Sequence, residues 1–138
     1  MKTLAVLFAI FMSTLAMGQE NSAGSISVNV ENVQSNEGKV MVGLYTSDTF
    51  MKAKPPYGRI GKIENGQASV TFDSIPPGTY AIICFHDKND NDHIDFDESG
   101  MPAENYGLSN NPYAYGPPQW EEAKFSYDGG EKAIEIRF

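Results

Sequence analysis

The chain has 138 residues, which is enough for one ordinary domain and too few for two independent cores. Its 18 acidic residues against 10 basic residues give a formal charge of −8, and no cluster of cations is available to neutralise phosphates, which argues against nucleic acid as a partner. A hydrophobic content of 41%, together with 13 glycines and 8 prolines, indicates a folded domain rich in turns.

The first residues have the pattern of a secretory signal peptide. Lys2 gives a positive start, residues 4–12 form an apolar run, and Ala16-Met17-Gly18 is a small-x-small ending. The apolar run is shorter than the roughly twenty residues that a membrane-spanning helix needs. We therefore expect residues 1–18 to be cleaved, leaving a single periplasmic or secreted domain over residues 19–138 that does not span a membrane. Removal of Lys2 leaves 9 basic and 18 acidic residues, a charge of −9.

From Ile26 onward the hydrophobic residues recur with a period of two, which is typical of half-buried β-strands. Turn sequences such as Asn36-Glu37-Gly38 and Asn65-Gly66 separate the alternating segments. A continuous apolar run from Thr79 to His86 indicates a central strand that is buried on both faces. The pattern predicts an all-β fold, an antiparallel immunoglobulin-like or prealbumin-like β-sandwich of about seven strands with one long loop.

The single cysteine, Cys84, lies inside the apolar run and has no second cysteine with which to form an internal disulfide. We expect it to be a small buried hydrophobic residue. A reactive thiolate stays open as an alternative, because His86 lies two residues further on and therefore on the same face of a strand.

An acidic segment of twelve residues, from Asp87 to Glu98, follows this strand. Side chains with oxygen atoms stand at its positions 1, 3, 5, 9 and 12, which is the spacing of calcium-binding loops, where the carbonyl of position 7 is a further ligand. Six acidic residues against Lys88 alone would repel one another, and a divalent cation would relieve that repulsion. The predicted calcium ligands are Asp87, Asn89, Asn91, the carbonyl of His93, Asp95 and Glu98.

The segment departs from the usual calcium loop at position 6, where the chain turns sharply and glycine is expected. Asp92 stands there instead, so we expect a weaker site. The flanking residues form a strand on one side and Ser99-Gly100-Met101-Pro102 on the other, which excludes a helix-loop-helix pair. Two alternatives stay open, a solvated loop held by Asp and Asn turns and a zinc site formed by His86, His93 and a carboxylate.

Three segments in the second half of the chain carry a specific pattern. They read Ile-Pro-Pro-Gly-Thr-Tyr-Ala at 75–81, Phe-His-Asp-Lys-Asn-Asp-Asn at 85–91 and Gly-Met-Pro-Ala-Glu-Asn-Tyr-Gly-Leu-Ser-Asn-Asn at 100–111. In these segments the chain resembles the exported bacterial family catalogued as domain of unknown function 2141, over about residues 25–138. The resemblance implies an exported, sandwich-like domain without an assigned activity.

A more distant likeness concerns the acidic loop, which looks like the Asp-x-Asn-x-Asn-Gly loops of the B-type repeats in Gram-positive surface adhesins. Those repeats are calcium-stiffened β-sandwiches. The Pro-Gly-Thr-Tyr turn is similarly shared with transthyretin-like and carboxypeptidase-regulatory-like domains. These likenesses concern the fold and do not carry a function over to this chain.

Two functions from different classes are compatible with the sequence. The first is a non-catalytic exported module in which a calcium loop stiffens the sandwich and aromatic residues bind a protein or glycan partner. The aromatic residues in question are Tyr106, Tyr113, Tyr115 and Trp120. The second is a small metal-dependent hydrolase that uses His86 or His93 as a base. We favour the first, because the sequence has no Ser-His-Asp order, nucleophile elbow or zinc signature. The aromatic residues have an alternative role that stays open, which is to cover the edge of a sheet.

Overall fold

The computed structural model describes residues 23–113 and 116–138, so the predicted signal peptide (1–18) and Tyr115 lie outside the described residues. Strands make up most of the regular structure. In chain order the elements are β1 (Gly24–Glu31), β2 (Lys39–Tyr45), β3 (Tyr57–Gly61), β4 (Ile63–Glu64), β5 (Gln67–Ile75), β6 (Gly78–Asp87), β7 (Tyr106–Leu108), α1 (Trp120–Ala123), β8 (Phe125–Tyr127) and β9 (Lys132–Arg137).

The strands form two sheets. One sheet has the order β4-β5-β1-β9, and the other has the order β3-β2-β6-β7 with β8 paired to the beginning of β6. The all-β sandwich predicted from the sequence is confirmed. The described residues contain nine strands rather than about seven, because β4, β7 and β8 have only two or three residues each and carry no periodic signal.

One pair of strands departs from the predicted antiparallel arrangement. β9 runs parallel to β1, with Ile26 beside Lys132 and Val30 beside Ile136, whereas the other pairs are antiparallel. A period of two identifies the two faces of a strand but says nothing about its direction, so the sequence pattern could not have predicted this pairing.

The core lies between the two sheets and consists of the apolar residues that alternate along the strands. In β1, Ile26, Val28 and Val30 are at most 1% exposed, while Ser27 between them is exposed. This alternation follows because successive side chains of a strand point to opposite faces of the sheet. The buried residues of β2, β5 and β6 that complete the core are Val40, Val42, Leu44, Ala68, Val70, Phe72, Tyr80, Ile82 and Cys84.

β6 is the central strand of its sheet and is buried on both faces, as its continuous apolar run predicts. Its outer face carries Ala81 and Ile83, which form a second apolar cluster with Phe50, Leu108 and Ala123. The buried Ser109 links α1 to β6 beside this cluster, since its hydroxyl accepts the N–H of Ile82 (2.9 Å) and donates to the carbonyl of Ala123 (2.5 Å). The acidic loop therefore leaves from the end of the best-buried strand.

The Asn65-Gly66 sequence predicts a tight hairpin turn, and the structure has one at these residues. Asn65 and Gly66 have φ angles of 52° and 75°, and Glu64 on β4 is directly opposite Gln67 on β5. Two successive positive φ values are what a type I′ turn requires, and this turn matches the twist of the strands it joins.

Candidate metal centre

Asp87, the last residue of β6, is completely buried and fixes the start of the acidic loop. Its Oδ1 accepts the N–H of Asn91 (3.1 Å), and its Oδ2 accepts the N–H of Asp92 (2.8 Å). The ammonium of Lys39 lies 3.8 Å from Oδ2. One buried carboxylate thus closes the turn that brings the following side chains back toward the end of the strand.

Asp95 is the second carboxylate around which the loop is organised. The side-chain amide of Asn91 donates to both of its oxygens (2.8 and 3.0 Å), and the amide of Asn89 donates to Oδ2 (2.8 Å). These hydrogen bonds hold the pKa of Asp95 below its usual value, and those from Asn91 have the largest effect. Four of the six predicted ligand residues are therefore linked to one another, namely Asp87, Asn89, Asn91 and Asp95.

The backbone of the loop follows the sharp turn expected of a calcium loop even though glycine is missing. Asp92, at position 6, has a φ of 65°, and Asp90 has a φ of 61°. Aspartate adopts this left-handed conformation more readily than most residues, at some cost in free energy. The N–H of His93, at position 7, then donates to Oδ1 of Asn91 (3.0 Å), while the His93 side chain is exposed.

The predicted ligand Glu98 lies in a small hairpin that the chain forms beyond Asp95. The carbonyl of Asp95 accepts the N–H of Ala103 (2.7 Å), and the N–H of Asp97 donates to the carbonyl of Met101 (2.8 Å). Glu98 is exposed at the tip of this hairpin, and no hydrogen bond joins its side chain to the described residues around Asp95. Its role as a ligand stays a prediction.

Glu104, which the sequence analysis missed, follows the returning arm of the hairpin. Its Oε2 lies 3.5 Å from the N–H of Asp95, and its Oε1 is buried without a hydrogen-bond partner among the described residues. Burial raises the pKa of Glu104, and the charges of Asp95 and Asp87 raise it further. A twelve-residue template that starts at Asp87 ends before Glu104, and the only sequence signal for it was the Ser99-Gly100 turn that reverses the chain.

A second acidic group also includes Asp87, and a lysine ammonium already contacts it. One oxygen each of Asp87, Asp90 and Asp92 lies within 4.8 Å of the others, close enough to hold a metal ion. The ammonium of Lys39 contacts this group, at 2.8 Å from Asp90 and in a short ion pair with Asp92. Hydrogen bonds to these two carboxylates raise the pKa of Lys39, and the ammonium in turn lowers the pKa of Asp92. The sequence showed only Lys88 as a neighbouring cation, because Lys39 comes from a different strand.

A protein family described as "Uncharacterized protein conserved in bacteria (DUF2141)" matches residues 28–135. The chain belongs to this family. The match runs from β1 into β9 and includes the whole acidic loop. No curated protein and no solved structure matches the chain. Within residues 23–113 and 116–138, no helix has the length and apolar character needed to cross a bilayer.

The two histidines of the DUF2141 domain do not share a site. The ring of His86 is buried, with Nε2 2.7 Å from the carbonyl of Glu37, and His93 is exposed in the loop. The groups of the described chain that are close enough to hold a metal ion include no histidine. Cys84 is fully buried, burial raises the pKa of its thiol, and its sulfur lies 3.6 Å from the carbonyl of Gly107. The side chains of His86 and Cys84 are therefore both shielded from solvent, whereas His93 is accessible.

The aromatic residues proposed as a binding face are spread over more than one environment. Tyr106 is half-buried on β7, and Tyr113 is 95% exposed, and both line one shallow groove beside β9. Trp120 is half-buried at the start of α1 and packs edge-on against Phe50, with ring centroids 5.6 Å apart. Tyr115 lies outside the described residues. A common ligand surface for these residues stays a prediction.

An apolar groove of about 420 Å³, which the sequence did not reveal, lies beside the acidic loop. Three of its residues are unusually exposed for their type, with 56% of Met51, 62% of Phe96 and 52% of Met101 accessible to solvent. Phe96 and Met101 belong to the hairpin that follows Asp95. Further walls are formed by Tyr45, Ile83, Ile94, Pro102, Tyr106 and Pro117.

Proposed function

We propose that the protein is an exported, non-catalytic module in which residues 87–104 bind a calcium ion, and that the ion stiffens a surface for a protein partner. The observation that carries this proposal is the chain of hydrogen bonds after the central strand, in which Asp87 accepts the backbone N–H of Asn91 and the side-chain amides of Asn89 and Asn91 donate to Asp95. Export rests on the signal-peptide pattern of residues 1–18.

The donor set fits calcium better than the other common divalent ions. Carboxylates and side-chain amides supply hard oxygen ligands, whereas zinc prefers the nitrogen and sulfur of His and Cys. The amides of Asn89 and Asn91 now point their N–H groups at Asp95. A half-turn of each amide would present its oxygen to a cation instead, since the amide carries a donor and an acceptor of similar shape. Magnesium demands a tight octahedron that a long loop is less suited to close.

The proposed partner surface is the apolar groove, because the loop forms one of its walls. Ile94, Phe96 and Met101 lie within the segment that would hold the ion. Fixing Asp95 therefore fixes the position of these apolar side chains. Exposed methionine and phenylalanine adapt well to apolar side chains of another protein, whereas a glycan needs more polar groups than these walls offer.

The groove can be tested with a fluorescent anilinonaphthalene sulfonate dye, which reports accessible apolar surface. We expect the combined substitution of Phe96→Ala and Met101→Ala to remove most of the dye binding, because both side chains are more than half exposed on the groove. The free energy of unfolding should change by less than about 1 kcal/mol, as for other surface residues.

Ile60→Ala is the comparison variant, since Ile60 is 61% exposed on β3 and lines a neighbouring groove of about 730 Å³ instead of this one. It should remove much less dye binding than the double variant. If the double variant binds the dye as the wild type does, the groove beside the acidic loop is not an accessible apolar surface and the proposed partner site is wrong. The calcium part of the proposal has its own direct test, the effect of calcium on the melting temperature.

A further inference from the structure

The three methionines of the described chain lie on one face of the molecule. Met51 and Met101 line the groove beside the acidic loop, and Met41 lines the neighbouring groove of about 730 Å³. The two grooves share the walls formed by Tyr45 and Ile83, so they belong to one outer face of the sheet. Neither buried cluster of the described residues contains a methionine, although methionine is among the side chains most often found inside proteins.

Met51 is held on this face at some cost in free energy. Its φ is 56°, in the left-handed region that glycine and asparagine adopt more readily than other residues. The turn is fixed just before it, because the N–H of the buried Phe50 donates to the carbonyl of Thr46 (2.9 Å). The Met51 side chain is 56% exposed, so burial of apolar surface offsets little of this cost.

The backbone of Met101 is fixed on both sides by a single residue, Asp97. The carbonyl of Met101 accepts the N–H of Asp97 (2.8 Å), and the N–H of Met101 donates to Oδ1 of Asp97 (3.0 Å). The Met101 side chain is nevertheless 52% exposed on the groove. Two methionines from separate segments of the chain are therefore presented to solvent in the same groove.

An accessible methionine thioether is oxidised by peroxides to a sulfoxide. The sulfur gives up an electron pair to form a bond with one peroxide oxygen, and the O–O bond breaks. The proton left on the transferred oxygen passes to the departing hydroxide, which becomes water. Hydrogen peroxide is uncharged, so the acidic loop beside the groove does not repel it.

We propose that Met51 and Met101 form a modification site, which hydrogen peroxide oxidises in the folded protein, and that their oxidation closes the groove to its partner. The second half of this inference rests on the proposed function. Each sulfoxide adds a polar oxygen to an apolar wall. A partner that covers the groove with apolar side chains would bury these oxygens without hydrogen-bond donors, which weakens binding.

Met41 is an internal reference for the oxidation. It is half-buried on β2, with Ile60 and Phe85 directly opposite it on the two neighbouring strands. When the purified protein is treated with hydrogen peroxide, peptide mass spectrometry should show one added oxygen at Met51 and at Met101 before any at Met41. Oxidation of Met41 as fast as of the other two would overturn the proposed site.

Binding of the anilinonaphthalene sulfonate dye measures the effect on the groove. We expect the protein oxidised at Met51 and Met101 to lose most of its dye binding with little change in melting temperature, because both side chains are exposed. The two epimer-specific methionine sulfoxide reductases, supplied with a thiol, should restore it. The matched control is the double variant Met51→Leu and Met101→Leu, which keeps the apolar volume and should bind the dye equally before and after peroxide.

The same experiment distinguishes failure of this inference from failure of the proposed function. If the untreated protein binds the dye and binds it equally after both residues are oxidised, the groove stands and its control by oxidation is wrong. Loss of dye binding by the leucine variant after peroxide would also contradict the inference, since the damage would then lie elsewhere. If the untreated protein binds no dye, the partner groove is wrong, and the order of oxidation still tests the modification site.

Discussion

Replacing Asp87 by alanine should lower the free energy of unfolding by about 3 kcal/mol, even without any metal ion. The side chain is fully buried, and its two oxygens accept the N–H groups of Asn91 and Asp92 while facing Lys39. Alanine would leave these two partly buried N–H groups without their acceptor and remove the charge that the ammonium faces. Urea unfolding, followed by tryptophan fluorescence in the presence of a chelator, measures the change.

Asp90→Asn is the matched control for this prediction, because it also removes an acidic residue that contacts Lys39 in the same loop. The Asp90 side chain is 66% exposed, and asparagine tolerates the positive φ of this position. Its free energy of unfolding should stay close to that of the wild type. If Asp87→Ala is as stable as Asp90→Asn, the buried carboxylate does not organise the loop.

Gly38→Ala should be comparably damaging, with a loss of about 3 kcal/mol, because alanine faces two obstacles at this position. Gly38 has a φ of 71°, which disfavours any residue with a Cβ atom. A Cβ atom here would also lie 2.0 Å from the carbonyl oxygen of Asp87 and 2.8 Å from the Cα of Lys88. Both are backbone atoms at the start of the acidic loop, so the loop would have to move away from β2.

Two other glycines separate the two causes when the variants are compared by urea unfolding. Gly100→Ala shares the positive φ, 83°, but has open space around the added Cβ atom, so it should cost only about 1 kcal/mol. Gly58→Ala has neither obstacle and should be close to neutral. Equal effects at Gly38 and Gly100 would show that the close approach of Gly38 to the carbonyl of Asp87 is unimportant.

The sequence predicted the parts of this fold that depend on local patterns. The alternation at Ile26, Val28 and Val30, the continuous apolar run of β6 and the Asn65-Gly66 turn each have a direct structural counterpart. Each of these signals comes from residues close together in the chain, where the faces of a strand or the φ angles of a turn determine which side chains fit. Short segments of the sequence likewise predicted membership in the DUF2141 family, and this prediction is confirmed.

The candidate site shows where a local template stops being informative. The spacing from Asp87 to Asp95 was sufficient to identify four residues that the structure links together. Lys39 and Glu104 could not be found in this way, because Lys39 arrives through the pairing of β2 with β6 and Glu104 through the hairpin that returns the chain to Asp95. The template also assumes that the chain continues to curl around the ion, whereas the chain after Asp95 forms a hairpin with Glu98 at its tip.

The central claim is that calcium binds the folded domain at residues 87–104, and thermal melting tests it most directly. Calcium sites of extracellular modules have a Kd of about 10⁻⁴ to 10⁻³ M, so calcium at about 10 mM should stabilise the fold by about 1.4 to 2.7 kcal/mol. For a domain of this size the melting temperature should rise by about 5 to 10 °C. Magnesium at the same concentration controls for simple screening of the acidic surface.

We therefore expect a calcium-specific rise in the melting temperature of the wild type that a chelator reverses. Asp95→Ala should melt at the same temperature with and without calcium, because it removes the carboxylate on which the loop amides converge. Equal stabilisation by magnesium and calcium, or no stabilisation by calcium at about 10 mM, which is on the order of ten times the weakest expected Kd, would contradict the claim and leave a solvated acidic loop.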